Sequence, residues 1–121
     1  VIFQSFKKFK NKDLEISVLL TNSENMKKLN KKFRKKSGDT DVLSFPSHSK
    51  KYYLRKNNLN KIFLGDLAFS YKYIKKQKKN FLEYLKKIFV HGCLHLIGYQ
   101  HNNLKNHEQM FKIEKKILSQ I

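Results

Sequence analysis

Residues 80–101 read NFLEYLKKIFVHGCLHLIGYQH, and the rest of the chain must be arranged around this stretch. Its three histidines, His91, His95 and His101, are four and then six residues apart. Residues four apart in a helix lie on one face, so the first two imidazoles can point to a common position. Gly98 can take the left-handed conformation that ends a helix, which lets the chain double back and bring in the third imidazole. Three imidazoles leave a tetrahedral metal one open position, and we therefore predict a catalytic zinc site.

Histidines at this spacing can also bind nothing, because an i, i+4 pair is a common surface or core arrangement. In this chain the second half of the helix, residues 88–97, is apolar in every direction, whereas the first half is amphipathic. An imidazole buried in such a segment without a partner would be costly, which favours the metal site. Cys93 points away from the His91–His95 direction by helical angle, and we interpret it as a small core residue rather than a ligand.

The chain carries 27 lysines and arginines against 9 aspartates and glutamates, a formal net charge of +18. A field of this sign and size attracts a polyanion such as nucleic acid. All but two of these cations are lysines, in a chain also rich in Asn, Ile and Phe, so part of the basicity can reflect an AT-rich genome. The scarcity of arginine draws attention to Arg34 and Arg55, because a guanidinium grips a phosphate through two parallel hydrogen bonds and lysine does not.

The length of 121 residues predicts one domain over residues 1–121, with a hydrophobic core of its own. No apolar run approaches the roughly 18 to 20 residues that a membrane span needs, so no membrane partner is predicted. The first ten residues mix lysine with phenylalanine and lack the continuous apolar region of a signal peptide. A single cysteine excludes an internal disulfide. Together these features predict a reduced, cytoplasmic protein.

Strand-like and helix-like periodicities alternate along the chain. Asn22 or Ser23 is the predicted N-cap of the helix that follows the first strand, and that strand is expected to enter the core. Pro46 ends a short strand because proline cannot donate to a ladder, and Gly65 marks a candidate bulge in another strand. The predicted elements are the end of a helix at 1–11, strands at 14–20, 41–45 and 62–69, a loop or loose hairpin at 47–60, and helices at 23–36, 70–79, 80–97 and 106–118.

Four sequence blocks resemble, in order and spacing, the signature blocks of the YbeY family. They are LNKKFR at residues 29–34, TDVLSFP at 40–46, LGD at 64–66 and HGCLHLIGYQH at 91–101. Met110, Glu114 and Ile117 near the C-terminus also resemble the closing helix of that family. The resemblance covers residues 14–118, nearly the whole chain, and four ordered blocks make it very specific.

The resemblance implies a metal-dependent endoribonuclease, specific for single strands, that matures the 3′ end of small-subunit ribosomal RNA and serves ribosome quality control. Its expected partners are ribosomal RNA precursor and the small ribosomal subunit. It implies one Zn²⁺ held by His91, His95 and His101, with Arg34 and His91 as catalytic residues. It also implies an α+β fold, in which a small mixed sheet of three to four strands packs with four to five helices and the central metal-binding helix ends at Gly98.

Two departures from the family pattern matter. The family usually has Asp directly before the third histidine, where this chain has Gln100, and an amide cannot act as a base. Family members also begin with an extra strand and a longer first helix. This chain begins at Val1, so we expect a shortened version or a fragment whose sheet lacks an edge strand.

The histidine spacing is shared with metzincin metalloproteases, which place a glutamate directly after the first histidine as general base. Here that position is Gly92, which has no side chain, so proteolysis is disfavoured. Phosphodiester cleavage does not need that carboxylate, because a metal lowers the pKa of its bound water to roughly 7 and supplies the attacking hydroxide. Arg34 is then the candidate that stabilises charge on the phosphate oxygens, although on residues alone it could be a solvated charge at a lysine-rich helix end.

A second function stays open, that of a non-catalytic ribosome-binding assembly factor with a structural metal and a basic surface. Several polar residues also keep two interpretations. Asp66 is either a turn residue or an acceptor for an imidazole N–H. Thr40 and Ser44 either fix the strand beneath the site or contact RNA, and Tyr52 and Tyr53 either stack on bases or shield a loop. His48 either faces RNA or is a loop residue without a role, and His107 is predicted to be an exposed helix residue.

Overall fold

The structure is a computed structural model that describes residue 9 and residues 12–48, 61–77 and 80–121. Within these ranges the chain forms a three-stranded mixed sheet and four helices, which confirms the predicted α+β fold. The predicted helix end at 1–11 and nearly all of the predicted loop at 47–60 lie outside the described residues. The elements are β1 (Asp13–Thr21), α1 (Ser23–Arg34), β2 (Val42–Pro46), β3 (Lys61–Ser70), α2 (Tyr71–Lys76), α3 (Phe81–Leu96) and α4 (Leu104–Leu118).

β3 is the central strand, parallel to β1 and antiparallel to β2. Glu15 pairs with Phe63 and Ile16 with Gly65, so β3 contains one extra residue and is bulged at this point. Gly65 has a φ of +138°, and a Cβ built on it would lie 2.3 Å from the backbone oxygen of Phe45. The predicted bulge is therefore confirmed, and glycine is required there by both conformation and space.

The prediction that β1 runs into the core is wrong for its second half. Val18, Leu19 and Leu20 are 55%, 52% and 62% exposed, whereas Leu14 and Ile16 pack against the core. In the described sheet β1 is an edge strand with β3 as its one neighbour, so an apolar run does not guarantee burial on both faces.

The sheet has a different helix layer on each face. The larger core lies between the sheet and α3 and α4, and includes Leu67, Leu94 and Met110. The smaller core lies under α1 and is built around Met26 and Leu43.

α3 approaches β2 closely because Gly92 faces the strand. A Cβ built there would lie 2.9 Å from Leu67 Cδ2 and 3.4 Å from Ser44 Oγ. The Ser44 hydroxyl donates a hydrogen bond of 3.1 Å to the Gly92 carbonyl. This contact fixes the histidine-bearing turn of α3 against the sheet.

The helix ends largely match the predictions. Asn22 caps α1 by accepting from the Asn25 N–H at 2.8 Å. α1 was predicted over residues 23–36 but ends earlier, at Arg34, because Lys35 takes the left-handed conformation. None of the described helices has both the length and the apolar character needed to cross a bilayer.

Candidate metal centre

The three predicted histidines come together at the C-terminal end of α3. His91 and His95 lie one turn apart, with their Nε2 atoms 3.0 Å from each other. The His101 ring centroid is 5.2 Å from that of His91 and 4.8 Å from that of His95. One ring nitrogen from each histidine can be chosen so that all three lie within 4.8 Å of one another. The spacing in the sequence therefore predicted this cluster correctly.

The return of the chain depends on Gly98, which has a φ of +105°. The Gly98 N–H donates to the His95 carbonyl at 3.1 Å, and the Tyr99 N–H donates to the Leu94 carbonyl at 3.0 Å. These two bonds close the helix end in the manner of a glycine C-cap. The following residues then run back over α3 and carry His101 to the other two rings.

The hydrogen bonds on the outer ring nitrogens fix the tautomers of two histidines. His95 Nδ1 lies 2.8 Å from the Tyr99 carbonyl, and His91 Nδ1 contacts the Glu114 carboxylate. Both partners are acceptors, so in each neutral ring the proton is on Nδ1 and the Nε2 lone pair is bare. Two bare nitrogens that face each other at 3.0 Å suit a cation between them.

The pKa of His95 is lowered to about 4, first by burial and next by the neighbouring His91. The carbonyl of Tyr99 opposes this shift, whereas His101 and Arg34 add to it. The His95 ring is consequently neutral at pH 7. A neutral ring keeps its Nε2 lone pair available to a metal.

The donor set fits the zinc ion that the resemblance implies. Imidazole nitrogens suit Zn²⁺, Cu²⁺, Ni²⁺ and Fe²⁺. Zn–N bonds of about 2.0–2.1 Å place tetrahedral nitrogen ligands roughly 3.3 Å apart. The Nε2 atoms of His91 and His95 are 3.0 Å apart, close to that value, and a donor nitrogen of His101 lies within 4.8 Å of both. Three protein ligands also leave one tetrahedral position open.

A cleft of about 410 Å³ opens over the histidines. Arg34 lies on its wall, at the last residue of α1, which is where the resemblance placed a functional arginine. In the described part of the chain no carboxylate pairs with its guanidinium. The remaining lining residues are Thr40, Asp41, Val42, Ser44, Pro46, Tyr99 and Gln100.

The carboxylates near the cleft are already engaged. Asp41 accepts from the Tyr84 hydroxyl at 2.7 Å and from the Val42 N–H at 2.7 Å. Burial and this contact with Asp41 together raise the pKa of Tyr84, so the tyrosine remains a donor. Asp39 accepts from the Thr40 N–H and from Ser70 Oγ. The described hydrogen bonds of both carboxylates are thus made to groups other than Arg34.

The structure places the other predicted residues as follows. Cys93 is fully buried, and burial raises the pKa of its thiol to about 12, so it is a core residue as predicted. Ser44 supports α3 and Thr40 lines the cleft. Asp66 lies within β3 with its side chain exposed, so it is not a turn residue, and Glu114 is the acceptor for His91. His107 is an exposed helix residue, whereas Tyr52, Tyr53 and Arg55 lie outside the described residues.

The sequence did not identify Glu114 as part of the site. It is 7% exposed and lies on α4 between the buried residues Met110 and Ile117. The sequence does contain an indication of this burial. Glu114 is four residues after Met110 and three before Ile117, so it lies on the same buried face of the helix. A buried carboxylate needs a partner, but the pattern does not say which one.

Comparison with known proteins identifies the family of the chain. The family model for Endoribonuclease YbeY matches residues 1–121. An Endoribonuclease YbeY of Pelagibacter ubique is 44% identical over 114 residues, which cover 91% of this chain and 71% of the relative. The Endoribonuclease YbeY of Thermodesulfovibrio yellowstonii is 38% identical, over 89% of this chain and 67% of the relative.

A solved structure also matches. The solution structure of TM1509 from Thermotoga maritima is 28% identical, with a TM-score of 0.57, over 97% of this chain and 74% of that one. The sequence blocks, the histidine cluster and these matches agree with one another. This chain belongs to the YbeY family of endoribonucleases.

Proposed function

We propose that this protein is a zinc-dependent endoribonuclease that cuts single-stranded RNA during the maturation of small-subunit ribosomal RNA, at its 3′ end. The same activity would serve ribosome quality control, and such a substrate places the reaction in the cytoplasm, with the small subunit as partner. The observation that carries the proposal is the meeting, in one cleft of a YbeY-family chain, of three histidines and an arginine that has no ion pair among the described residues.

His91, His95 and His101 would hold the metal. A divalent ion bound there lowers the pKa of a coordinated water and polarises a phosphoryl oxygen. All three ligands are neutral when bound through Nε2, so the ligands themselves do not cancel the charge of the ion. His91 contributes to catalysis in this way, by holding the ion from a turn that Ser44 fixes against the sheet.

Arg34 would bind the phosphate that is to be cut. Its guanidinium presents two parallel N–H groups to a phosphate, and charge that builds on the phosphate oxygens strengthens these bonds. Among the described residues no carboxylate forms an ion pair with Arg34. Lys31, Lys32 and Lys35 belong to the same end of α1 and would add a general attraction for the RNA backbone.

The test uses a labelled single-stranded RNA that carries the 3′ end of a small-subunit ribosomal RNA precursor, with a duplex of the same sequence as control. We expect the protein to cut the single strand. Cleavage should stop when a chelator removes the metal, and it should resume when stoichiometric Zn²⁺ is added. Tight, salt-sensitive RNA binding without cleavage in the presence of any metal would contradict the proposed nuclease activity. That result would support the assembly factor with a structural metal.

A further inference from the structure

Glu114 is a carboxylate in a place where a carboxylate is costly. It is 7% exposed, and its neighbours one turn away on α4, Met110 and Ile117, are 1% and 3% exposed. A charge taken out of water must be paired and hydrogen-bonded to be tolerated. Its described partner is His91 Nδ1, which belongs to another helix, α3.

This contact determines which nitrogen of His91 is bare. Because the carboxylate accepts, the Nδ1 atom of His91 carries the proton in either charge state of the ring. In the neutral ring the lone pair is then on Nε2, the atom that faces His95 Nε2 at 3.0 Å. Without Glu114 the proton could occupy either nitrogen, and the ring could turn about its bond to Cβ.

The three rings are held with unequal strength. His91 has a buried carboxylate, His95 has the carbonyl of Tyr99, and His101 is exposed with no acceptor among the described residues. The carboxylate is the one of these partners that adds negative charge behind a ligand and so increases its basicity. A carbonyl orients a ring but carries no net charge.

We propose that Glu114 is a positioning residue, which holds His91 in the Nδ1–H tautomer and aims Nε2 at the metal. This rests on the proposed metal site, and it assigns α4 a part in that site. Since α4 supplies the carboxylate and α3 supplies the ligand, the metal also ties the packing of these two helices together.

The first experiment measures the His91 tautomer in metal-free protein, from ring ¹⁵N chemical shifts at a pH where the ring is neutral. We expect the Nδ1–H form in the wild type and a mixture of both forms in E114A, with His95 unchanged because its partner is a backbone carbonyl. A wild-type His91 ring protonated on Nε2 would overturn the proposal by itself.

The second experiment measures the Kd for Zn²⁺ by competition with a chelating dye. We expect E114Q and E114A to raise it by about 10- to 100-fold, as for other partners of metal ligands. E114D should recover part of the lost Zn²⁺ affinity. E108Q, which changes an exposed glutamate of the same helix, should leave the affinity unchanged. An unchanged Zn²⁺ affinity in both E114Q and E114A would show that Glu114 has a structural role only. No RNA is present, so a failure of the proposed nuclease activity leaves both results interpretable.

A separate observation concerns Phe33, next to Arg34 at the end of α1. Its ring is 56% exposed and meets the Phe45 ring edge-on at a centroid distance of 5.1 Å. Phe45 lies in β2 and packs on the α1 side of the sheet, opposite to the face from which its neighbours Ser44 and Pro46 line the cleft. The Lys32 ammonium is 5.3 Å from the centroid of the Phe33 ring. An exposed aromatic ring that lies beside a lysine and directly precedes the cleft residue Arg34 combines the two features with which proteins bind single-stranded nucleic acid.

We infer that Phe33 is a stacking position for one base of the RNA whose phosphate Arg34 binds, an inference that rests on the proposed function. An unpaired base can leave its strand and lie on the ring, while Lys32 contacts the backbone. A base inside a duplex is already stacked and cannot reach the ring. This position would thus contribute to a preference for single strands.

The test measures binding of a fluorescent ten-nucleotide RNA by anisotropy, with the oligonucleotide checked afterwards to be uncut. We expect F33A to weaken single-strand binding by about 5- to 150-fold, as for the loss of one stacked base, and F33Y to keep it. F111A is the matched control, because Phe111 is 51% exposed and lies 6.0 Å from the Lys115 ammonium, but belongs to α4, whereas Phe33 directly precedes Arg34 on α1. Equal affinities of F33A and the wild type for the single strand would refute the stacking position. So would an equal loss of affinity for single strand and duplex in F33A. The exposed ring would then be assigned to contact with a protein partner. Binding is read without cleavage, so an inactive enzyme would not obscure the outcome.

Discussion

The two walls of the cleft are built in opposite ways. The histidine wall belongs to α3, where the residues around His91 and His95 are buried and the outer nitrogens of both rings have acceptors. The arginine wall is the end of α1, where Arg34 and the residues on either side are exposed. One wall is fixed before any ligand arrives, and the other is free to adapt to one.

This difference suits the partner of each wall. A metal needs its ligands within a few tenths of an ångström of their positions, so fixed imidazoles lower the cost of binding. An RNA backbone varies in conformation, and a long side chain at a helix end can follow it. The loop behind the arginine wall is nevertheless tethered, since Asn30 Nδ2 donates to the Gly38 carbonyl at 3.1 Å.

The largest effect is expected on the histidine wall, from H95A. Loss of one of three ligands removes a bond that neighbouring groups cannot replace, so we expect the affinity for Zn²⁺ to fall by more than about 100-fold. Metal analysis after dialysis measures it, and cleavage should disappear in parallel. H107A is the control, because His107 is an exposed histidine on α4. Stoichiometric zinc in H95A would show that the cluster is not the metal site.

The second effect tests the arginine wall. R34A should reduce the cleavage rate by about 10²- to 10³-fold, the loss typical of one group that stabilises transition-state charge. Zinc content and melting temperature should remain those of the wild type, since Arg34 supports neither wall. R34K should recover little, because an ammonium cannot form the two parallel bonds. A full recovery in R34K would mean that charge alone is needed there.

The third effect concerns the strand between the walls. Gly65 has a positive φ, and a Cβ there would meet the Phe45 carbonyl and approach Leu96 of α3. We expect G65A to lower the free energy of unfolding by about 3 kcal/mol or more, measured by denaturant titration. G38A shares the positive φ but has open space around it, so it should cost about 1 kcal/mol. Equal losses in the two variants would show that backbone conformation matters there and crowding does not.

The same contrast explains what the sequence could predict. The histidine cluster depends on helical spacing and one glycine, which are local, so His91, His95, Gly98 and His101 could be identified from the residues alone. Arg34 is brought to the cleft by the packing of α1 on the sheet, which no local pattern reports. It was identified through the resemblance, and the structure then placed it on the cleft wall.

Glu114 and the second half of β1 show the limit of such patterns. An acidic residue on a buried helix face indicates that a partner exists, but the partner is 23 residues away on another helix. An apolar strand indicates burial, but the order of the strands decides which faces are covered. Both depend on tertiary arrangement.

The smallest effect tests whether the histidine wall is rigid for the reason given. S44A removes the hydrogen bond to the Gly92 carbonyl and leaves the cleft otherwise lined as before. We expect a loss of about 1 kcal/mol in the free energy of unfolding, the usual net value of one such bond. If that bond also holds the turn of α3 that carries His91, the Kd for Zn²⁺ should rise a few-fold, whereas S70A, which removes the hydroxyl bound to Asp39, should leave it unchanged. Wild-type zinc affinity in S44A would assign the rigidity of that wall to the packing around Gly92 alone.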